Sequence, residues 1–266
     1  MKPRLNSVLE KIQQYISDAN HAELTPALIQ QMATLIDLTS LGESDTDSQI
    51  AALCQKAMTP QHVAAVCVYP KFIPQVATLL RGQAVKIATV VNFPAGLDPI
   101  DKVQQDIRQS LQAGAHEIDV VFPYQRYLAG DKMGAQDFIR QCRSACGDDV
   151  VLKVILETGA IPSLEVISNI SSDVILAGAD FLKTSTGKIA IGATPEAAAV
   201  MLLAIKGLQP SVKRKLGFKA SGGVRTLEQA AIYIELAQQI MGAEWVSPQT
   251  FRLGASQLLD VALQTL

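Results

Sequence analysis

The chain of 266 residues is 48% hydrophobic and 18% charged, with 23 Lys and Arg against 25 Asp and Glu, a formal net charge of −2. That apolar fraction fills a sizeable core and excludes disorder, and without a basic excess there is no electrostatic case for nucleic acid. Charged residues fall below the roughly 25% of an average soluble domain, which points to a large buried fraction or a surface hidden by oligomerisation.

The N-terminal stretch MKPRLNSVLEKIQQYISDANHAEL has charged and amide residues where a signal peptide carries its apolar segment. No apolar run approaches the roughly 18 to 20 residues of a membrane-spanning helix. The expectation is a cytoplasmic protein that meets no membrane. Residues 1–31 read as extra helices, with Val8, Leu9, Ile12 and Ile16 on one face. From residue 32 onward, β-rich runs alternate with helical ones. The predicted strands are 32–38, 64–69, 86–91, 117–122, 150–157, 181–184, 216–219 and 251–254. Between the third and fourth, Asp98-Pro99 predicts an N-cap and a proline at N1, followed by Ile100, Val103, Ile107 and Leu111 at helical spacing, with Gly114 as a stop. Thr194-Pro195-Glu196 opens a later helix in the same way, and Thr226 with Gln229 predicts a capping box. Eight mostly apolar β-runs alternating with helices in about 235 residues match a (β/α)₈ TIM barrel, an α/β fold, in one domain spanning 1–266. A doubly wound open sheet is the main rival, and LIDLTSLGES is not the glycine-rich fingerprint it would carry after its first strand.

Chemistry in such a barrel collects at the C-terminal ends of the strands. Three lysines lie inside apolar strand patterns: Lys153 in VVLKVILE, Lys183 in DFLKTSTG and Lys219 in LGFKASGG, with Asp119 mid-strand in EIDVVFP. Lysine is among the residues least often buried. One such lysine is as well explained by a structural ion pair; three with a carboxylate indicate proton transfer or amine chemistry. Neighbouring cations depress the pKa of one ammonium, and a neutral lysine amine attacks carbonyls. The glycines form a second constellation. Gly222-Gly223-Val224-Arg225 follows the seventh strand, and Arg252-Leu253-Gly254-Ala255-Ser256 is expected after the eighth; Gly187-Lys188 follows the sixth. Loops in these positions form the recurrent phosphate site of barrel enzymes, where consecutive glycines turn backbone N–H groups toward an anion. No metal is expected, because His21, His62 and His116 are scattered and Cys142 and Cys146 have no second Cys or His pair nearby. Together with Cys54 and Cys67 these cysteines are expected to be reduced.

EIDVVFPY, LKVILETG, DFLKTSTGK, GFKASGGVR and FRLGAS, in that order and spacing, resemble the deoxyribose-phosphate aldolases, a class I aldolase family. The likeness runs from about Asp37 to Ser256. It implies a (β/α)₈ barrel that reversibly cleaves 2-deoxy-D-ribose 5-phosphate to D-glyceraldehyde 3-phosphate and acetaldehyde, in deoxyribose phosphate catabolism and without a cofactor. It implies that Lys183 forms the Schiff base, that Lys219 beside it lowers its pKa, and that Asp119 relays protons. Asp37, Lys153 and Thr186 match residues around that network. Family phosphate contacts map onto Gly187, Lys188, Gly222, Gly223, Val224, Arg225, Gly254 and Ser256. Cys67 matches a pocket cysteine of some members and is read as an inert core thiol. The partners implied are sugar phosphate, aldehyde and a second copy of the chain in a homodimer. Some members end in a mobile tail with a terminal tyrosine; the chain ends Ala262-Leu263-Gln264-Thr265-Leu266, so lower turnover, or water in that role, is expected. Other lysine Schiff-base barrels, namely transaldolases and fructose-bisphosphate-type aldolases, are the rivals among enzymes. A non-catalytic sugar-phosphate-binding barrel is the rival outside them.

Overall fold

The computed structural model describes residues 2–58 and 62–266, with side chains from Leu9 onward; the position of the Val8 side chain lies outside the described residues. The elements run α1 (Lys2–Ala19), α2 (Pro26–Thr34), β1 (Ile36–Ser40), α3 (Asp47–Ala57), β2 (Ala65–Val68), α4 (Ile73–Leu79), β3 (Lys86–Val91), α5 (Ile100–Gln112), β4 (Glu117–Val121), α6 (Tyr124–Leu128), α7 (Lys132–Cys146), β5 (Val151–Ile155), α8 (Leu164–Ala177), β6 (Phe181–Lys183), α9 (Pro195–Leu208), β7 (Gly217–Ser221), α10 (Leu227–Met241), β8 (Phe251–Ala255) and α11 (Leu258–Thr265). The eight strands pair in parallel, in sequence order, and close with Ile36 opposite Leu253 and Asp37 opposite Gly254. This is a (β/α)₈ TIM barrel.

Side chains alternate across each strand, and here the alternation sorts two environments. Ile36, Leu38, Val66, Val68, Ile118, Val120, Leu152, Val154, Leu182, Phe218, Phe251 and Leu253 pack with the helices in one large apolar cluster. The residues between them face the barrel interior, which is divided. On β2 and β3 it is apolar, a separate small cluster of Ala65, Cys67, Ala88 and Val90. On β1 and β4 to β8 it is ionic, with Asp37, Glu117, Asp119, Lys153, Lys183, Lys219 and Arg252 at most 5% exposed.

Local sequence accounts for the helix starts. Thr194 caps α9 with Pro195 in its first turn, and Thr226 and Gln229 close a capping box at α10, both as expected. The expected N1 proline of α5 differs: Pro99 occupies the N-cap position and makes no side-chain cap. Asp98 is drawn instead to Lys102, 2.9 Å away. The first strand also differs. Residues 32–34 finish α2, whose Thr25 cap and Pro26 start it earlier and whose Ile29, Met32 and Ala33 are buried at helical spacing, so β1 begins at Ile36. The helical extension therefore reaches Thr34, past residue 31. Helix α1 lies against α9 and α10, with Ile12 buried and Leu9 38% exposed. Arg252 lies within β8, inside the predicted strand 251–254, and not in the phosphate loop with which it was grouped.

The capping box of α10 gives a stability prediction. Thr226→Ala removes the hydroxyl that accepts from Gln229 N and is expected to cost about 1 kcal/mol, read as a lower urea midpoint with an unchanged slope.

Candidate active site

The strand register brings the predicted residues together. Asp119 on β4 pairs with Lys153 on β5, and Lys183 on β6 with Lys219 on β7. At the centre is the Asp119 carboxylate. Its Oδ2 accepts from Lys183 Nζ at 2.8 Å and from Lys219 Nζ at 2.8 Å, while Oδ1 accepts from Lys153 Nζ at 2.7 Å. Lys219 Nζ also donates to Asp37 Oδ2 at 2.5 Å. Two residues to which the sequence reading gave no place in this cluster complete the network. Glu117 lies 2.6 Å from Lys153, and the Arg252 guanidinium bridges Asp37 Oδ1 at 2.5 Å and Glu117 Oε1 at 2.8 Å. Glu117 precedes Asp119 by two, so the alternation that places Asp119 inside places Glu117 there as well; the same step leads from Gly254 back to Arg252.

The three lysines separate electrostatically. For Lys183 burial is the largest influence and pushes the ammonium down; Lys219 pushes the same way, and together they outweigh the attraction of Asp119. For Lys219 burial also acts downward, but the carboxylates of Asp119 and Asp37 prevail and hold it well above its ordinary value. Lys153, facing Asp119, Glu117 and Asp37, is likewise raised against burial. Burial acts to raise Asp37, Glu117 and Asp119, and the cations around them overcome it, so all three stay ionised below their ordinary range. Lys183 is thus the lysine of this cluster biased toward the neutral amine. Burial pushes the Cys67 thiol up, in keeping with an inert core thiol.

Above this cluster opens a cleft of about 460 Å³, and Lys183 lines it. Its walls include Thr186, Gly187, Lys188, Gly222, Gly223, Val224, Arg225, Gly254 and Ser256, together with Thr39, Ser40, Leu41, Gly42 and Asp45 from the end of β1. Of this β1 contribution the sequence reading had pointed to the strand end at Asp37–Thr39 but not to the loop that follows it. Gly222 has φ +82, and a Cβ there would meet Gly192 Cα and Ser185 Cβ, each at 3.2 Å. The β7 loop can therefore approach the β6 loop this closely only as glycine. Val224 is buried, and Arg225 and Ser256 are exposed. Lys188 Nζ donates to Leu41 O at 2.6 Å, tying the two sides of the mouth together. Glu157, in left-handed conformation at φ +58, accepts from Thr186 N at 3.2 Å and Thr186 Oγ1 at 2.5 Å. It thereby sets the turn that leads into Gly187. Asp37 and Lys153 lie inside the barrel and do not line the cleft.

A model of the DeoC/LacD family aldolases matches residues 31–261. The chain belongs to that aldolase family. A solved structure from Coccidioides immitis, provisionally assigned as a deoxyribose-phosphate aldolase, is 30% identical, covers 96% of this chain and 97% of its own, and superposes with a TM-score of 0.78. The aldolase QR15 is 26% identical, over 88% of this chain and 95% of its own, with a TM-score of 0.75. A tetrameric deoxyribose phosphate aldolase of Aeropyrum pernix shares the fold at 23% identity, over 95% of this chain and 97% of its own, with a TM-score of 0.74.

The charge cluster of this aldolase has a measurable pH signature. Asp37 and Asp119 have an ordinary value of 3.8 and Glu117 of 4.5, and all are lowered in the fold. The stability each contributes is complete above its ordinary value and is lost as pH falls toward the lowered one. Lys153 and Lys219, raised from 10.5, act oppositely: their contribution is present below 10.5 and is lost only as pH rises through the higher folded value. Chemical unfolding followed from pH 7 to pH 2 should show stability falling progressively below about pH 4.5. Asp119→Asn should unfold more easily at pH 7, by about 3–5 kcal/mol, because its three ammonium partners lose their shared counter-charge. An Asp119→Asn protein as stable as the parent at pH 7 contradicts this account.

Proposed function

We propose that this aldolase reversibly cleaves 2-deoxy-D-ribose 5-phosphate to D-glyceraldehyde 3-phosphate and acetaldehyde through a Schiff base on Lys183. The observation that carries the reading is a buried lysine, biased to the neutral amine, at the floor of a cleft walled by glycine loops. Substrate phosphate would rest against Gly187 and Lys188, the backbone of Gly222–Arg225, and Gly254 with Ser256. Among the described residues the N–H groups of Gly187, Gly222, Gly223 and Ser256 donate to no other protein group, and such clustered amides suit an anion. The phosphate end then points the sugar's aldehyde down toward Lys183.

Neutral Lys183 adds through Nζ to the open-chain C1 aldehyde, and loss of water gives the iminium. A base removes the proton of the C3 hydroxyl, and the C2–C3 electron pair flows into the iminium. The C3 fragment leaves as D-glyceraldehyde 3-phosphate, and an acetaldehyde enamine stays on Lys183. Protonation at C2 restores the iminium, which water hydrolyses to acetaldehyde and free Lys183. Asp119, 2.8 Å from both Lys183 and Lys219, is positioned to pass these protons with Lys219 and a water. Lys219 holds its own proton and keeps Lys183 from regaining one. Asp37 and Lys153 anchor Lys219 and Asp119, and Thr186 shapes the rim. The whole chain is read as one aldolase domain with an N-terminal helical extension, acting in deoxyribose phosphate catabolism in the cytoplasm as a homodimer.

Incubation with acetaldehyde and borohydride, followed by digestion and mass spectrometry, should find an ethyl group on Lys183. Lys183→Met, folded by circular dichroism, should lose about 10³-fold or more of its cleavage of 2-deoxyribose 5-phosphate while still binding the sugar phosphate. An adduct on Lys219 or Lys153 would reassign the nucleophile. Activity confined to fructose phosphates would favour the fructose-bisphosphate type of aldolase.

A further inference from the structure

Arg252 and Glu117 have no part in the chemistry above, yet they are built into its foundation. Arg252 is 5% exposed and Glu117 is 2% exposed, and both lie below Asp119, away from the cleft. Each cation of the cluster can be compared by its carboxylate partners. Lys219 pairs with Asp37 and Asp119, Lys153 with Glu117 and Asp119 and, at 3.6 Å, with Asp37, and Arg252 with Asp37 and Glu117. Lys183 has Asp119 alone. Arg252, Lys153, Lys183 and Lys219 make four cations; Asp37, Glu117 and Asp119 make three carboxylates. Fully ionised, the cluster carries a surplus of one positive charge in a site that excludes water, which is costly. The proton most easily given up is on the cation with one partner, and Lys183 alone among the four lines the cleft.

We propose that Arg252 and Glu117 are positioning residues of this aldolase, a paired layer under the active site that sets the charge count of the cluster in which Lys183 reacts. The proposal rests on the Schiff-base reading of Lys183. Arginine suits the task because its guanidinium stays protonated throughout the working range and its fork holds two carboxylates in fixed geometry. Arg252 occupies charge on Asp37 and Glu117 that would otherwise balance Lys219 and Lys153, so those two ammonium groups face Lys183 with their repulsion less cancelled. Other strands add no carboxylate ion-paired with these four cations among the described residues. Strand β2 presents the Cys67 thiol, raised and neutral, and β3 presents Ala88 and Val90. Glu157 approaches Lys183 from the end of β5, but burial raises its carboxyl and its hydrogen bonds go to Thr186.

The test is arithmetic carried out with variants. Arg252→Met leaves three cations against three carboxylates, Glu117→Gln leaves four against two, and the double variant restores a surplus of one. The readout is the rate at which acetaldehyde and cyanoborohydride place an ethyl group on Lys183, followed by mass spectrometry between pH 5 and pH 10. The acidic limb of that profile should move to higher pH in Arg252→Met by at least about one unit, roughly tenfold less adduct at a fixed pH on the limb. It should move to lower pH in Glu117→Gln and return to within about half a unit of the parent in the double variant. A structural role for the pair would lower stability without opposite shifts and without recovery in the double variant. Unmoved limbs, shifts of the same sign, or a double variant that fails to recover overturn the proposal. If Arg252→Met does not fold, Arg252→Lys keeps four cations and must leave the limb in place; a moved limb there overturns it too. No adduct on Lys183 in the parent at any pH would overturn the Schiff-base reading and this proposal with it, whereas an adduct with unmoved limbs overturns this proposal alone.

Discussion

The structure depends on one shared carboxylate. Asp119 is fully buried and accepts from three lysines on three different strands. Buried charges are tolerated only when paired and hydrogen-bonded, so Asp119 compels its neighbours to keep their geometry, and they compel it in return. The pairing of Asp119 with Lys153 and of Lys183 with Lys219 across adjacent strands is the backbone expression of the same constraint. A one-residue slip of any of these strands would send a charge out among the helices and bring an outward-facing neighbour, such as Ile118, Leu152, Leu182 or Phe218, into the ionic interior.

Around this carboxylate the barrel interior has two distinct walls. The apolar wall of β2 and β3 supplies small side chains, Ala65, Cys67, Ala88 and Val90, and offers the ionic wall no counter-charge. The lysines therefore settle their proton affinities among themselves and their carboxylates. At the mouth, glycine replaces side chains where loops approach one another. At Gly254 a Cβ would fall 2.7 Å from Ser221 Cβ and 3.0 Å from Lys219 Cε, so glycine there lets β8 run close beside the ionic cluster.

Much of this was legible in the sequence, for a specific reason. A lysine or aspartate inside an apolar strand breaks the pattern; Lys153, Lys219 and Asp119 do so between hydrophobic neighbours, and Lys183 does so directly after Phe181 and Leu182. Glu117 and Arg252 hid because each stands at or near the start of its strand, where a charge ordinarily faces water; Arg252, though inside the predicted strand 251–254, was grouped with the glycine-rich loop. Strand alternation from Asp119 and Gly254 would have recovered both. The first strand was misplaced because the run from Met32 to Leu38 joins the apolar end of a helix to the apolar start of a strand, and no turn residue stands between them. The glycine loops were found by position after the seventh and eighth strands. The opposing β1 loop, with Thr39 to Asp45, carries no comparable signature and becomes part of the cleft only when the barrel closes.

Closure itself has a consequence for how the molecule comes into being. Asp37 bonds Lys219 and Arg252 across 182 and 215 residues of chain. A polypeptide emerging from the ribosome holds Asp37 near its beginning and lacks these partners until β7 and β8 have been made. Until then the first strand has no closing neighbour and its inward carboxylate must stay hydrated. The ionic interior is thus completed last, when the first and the final strands meet, and a nascent barrel short of its final strand retains a wet, open seam between β1 and β7.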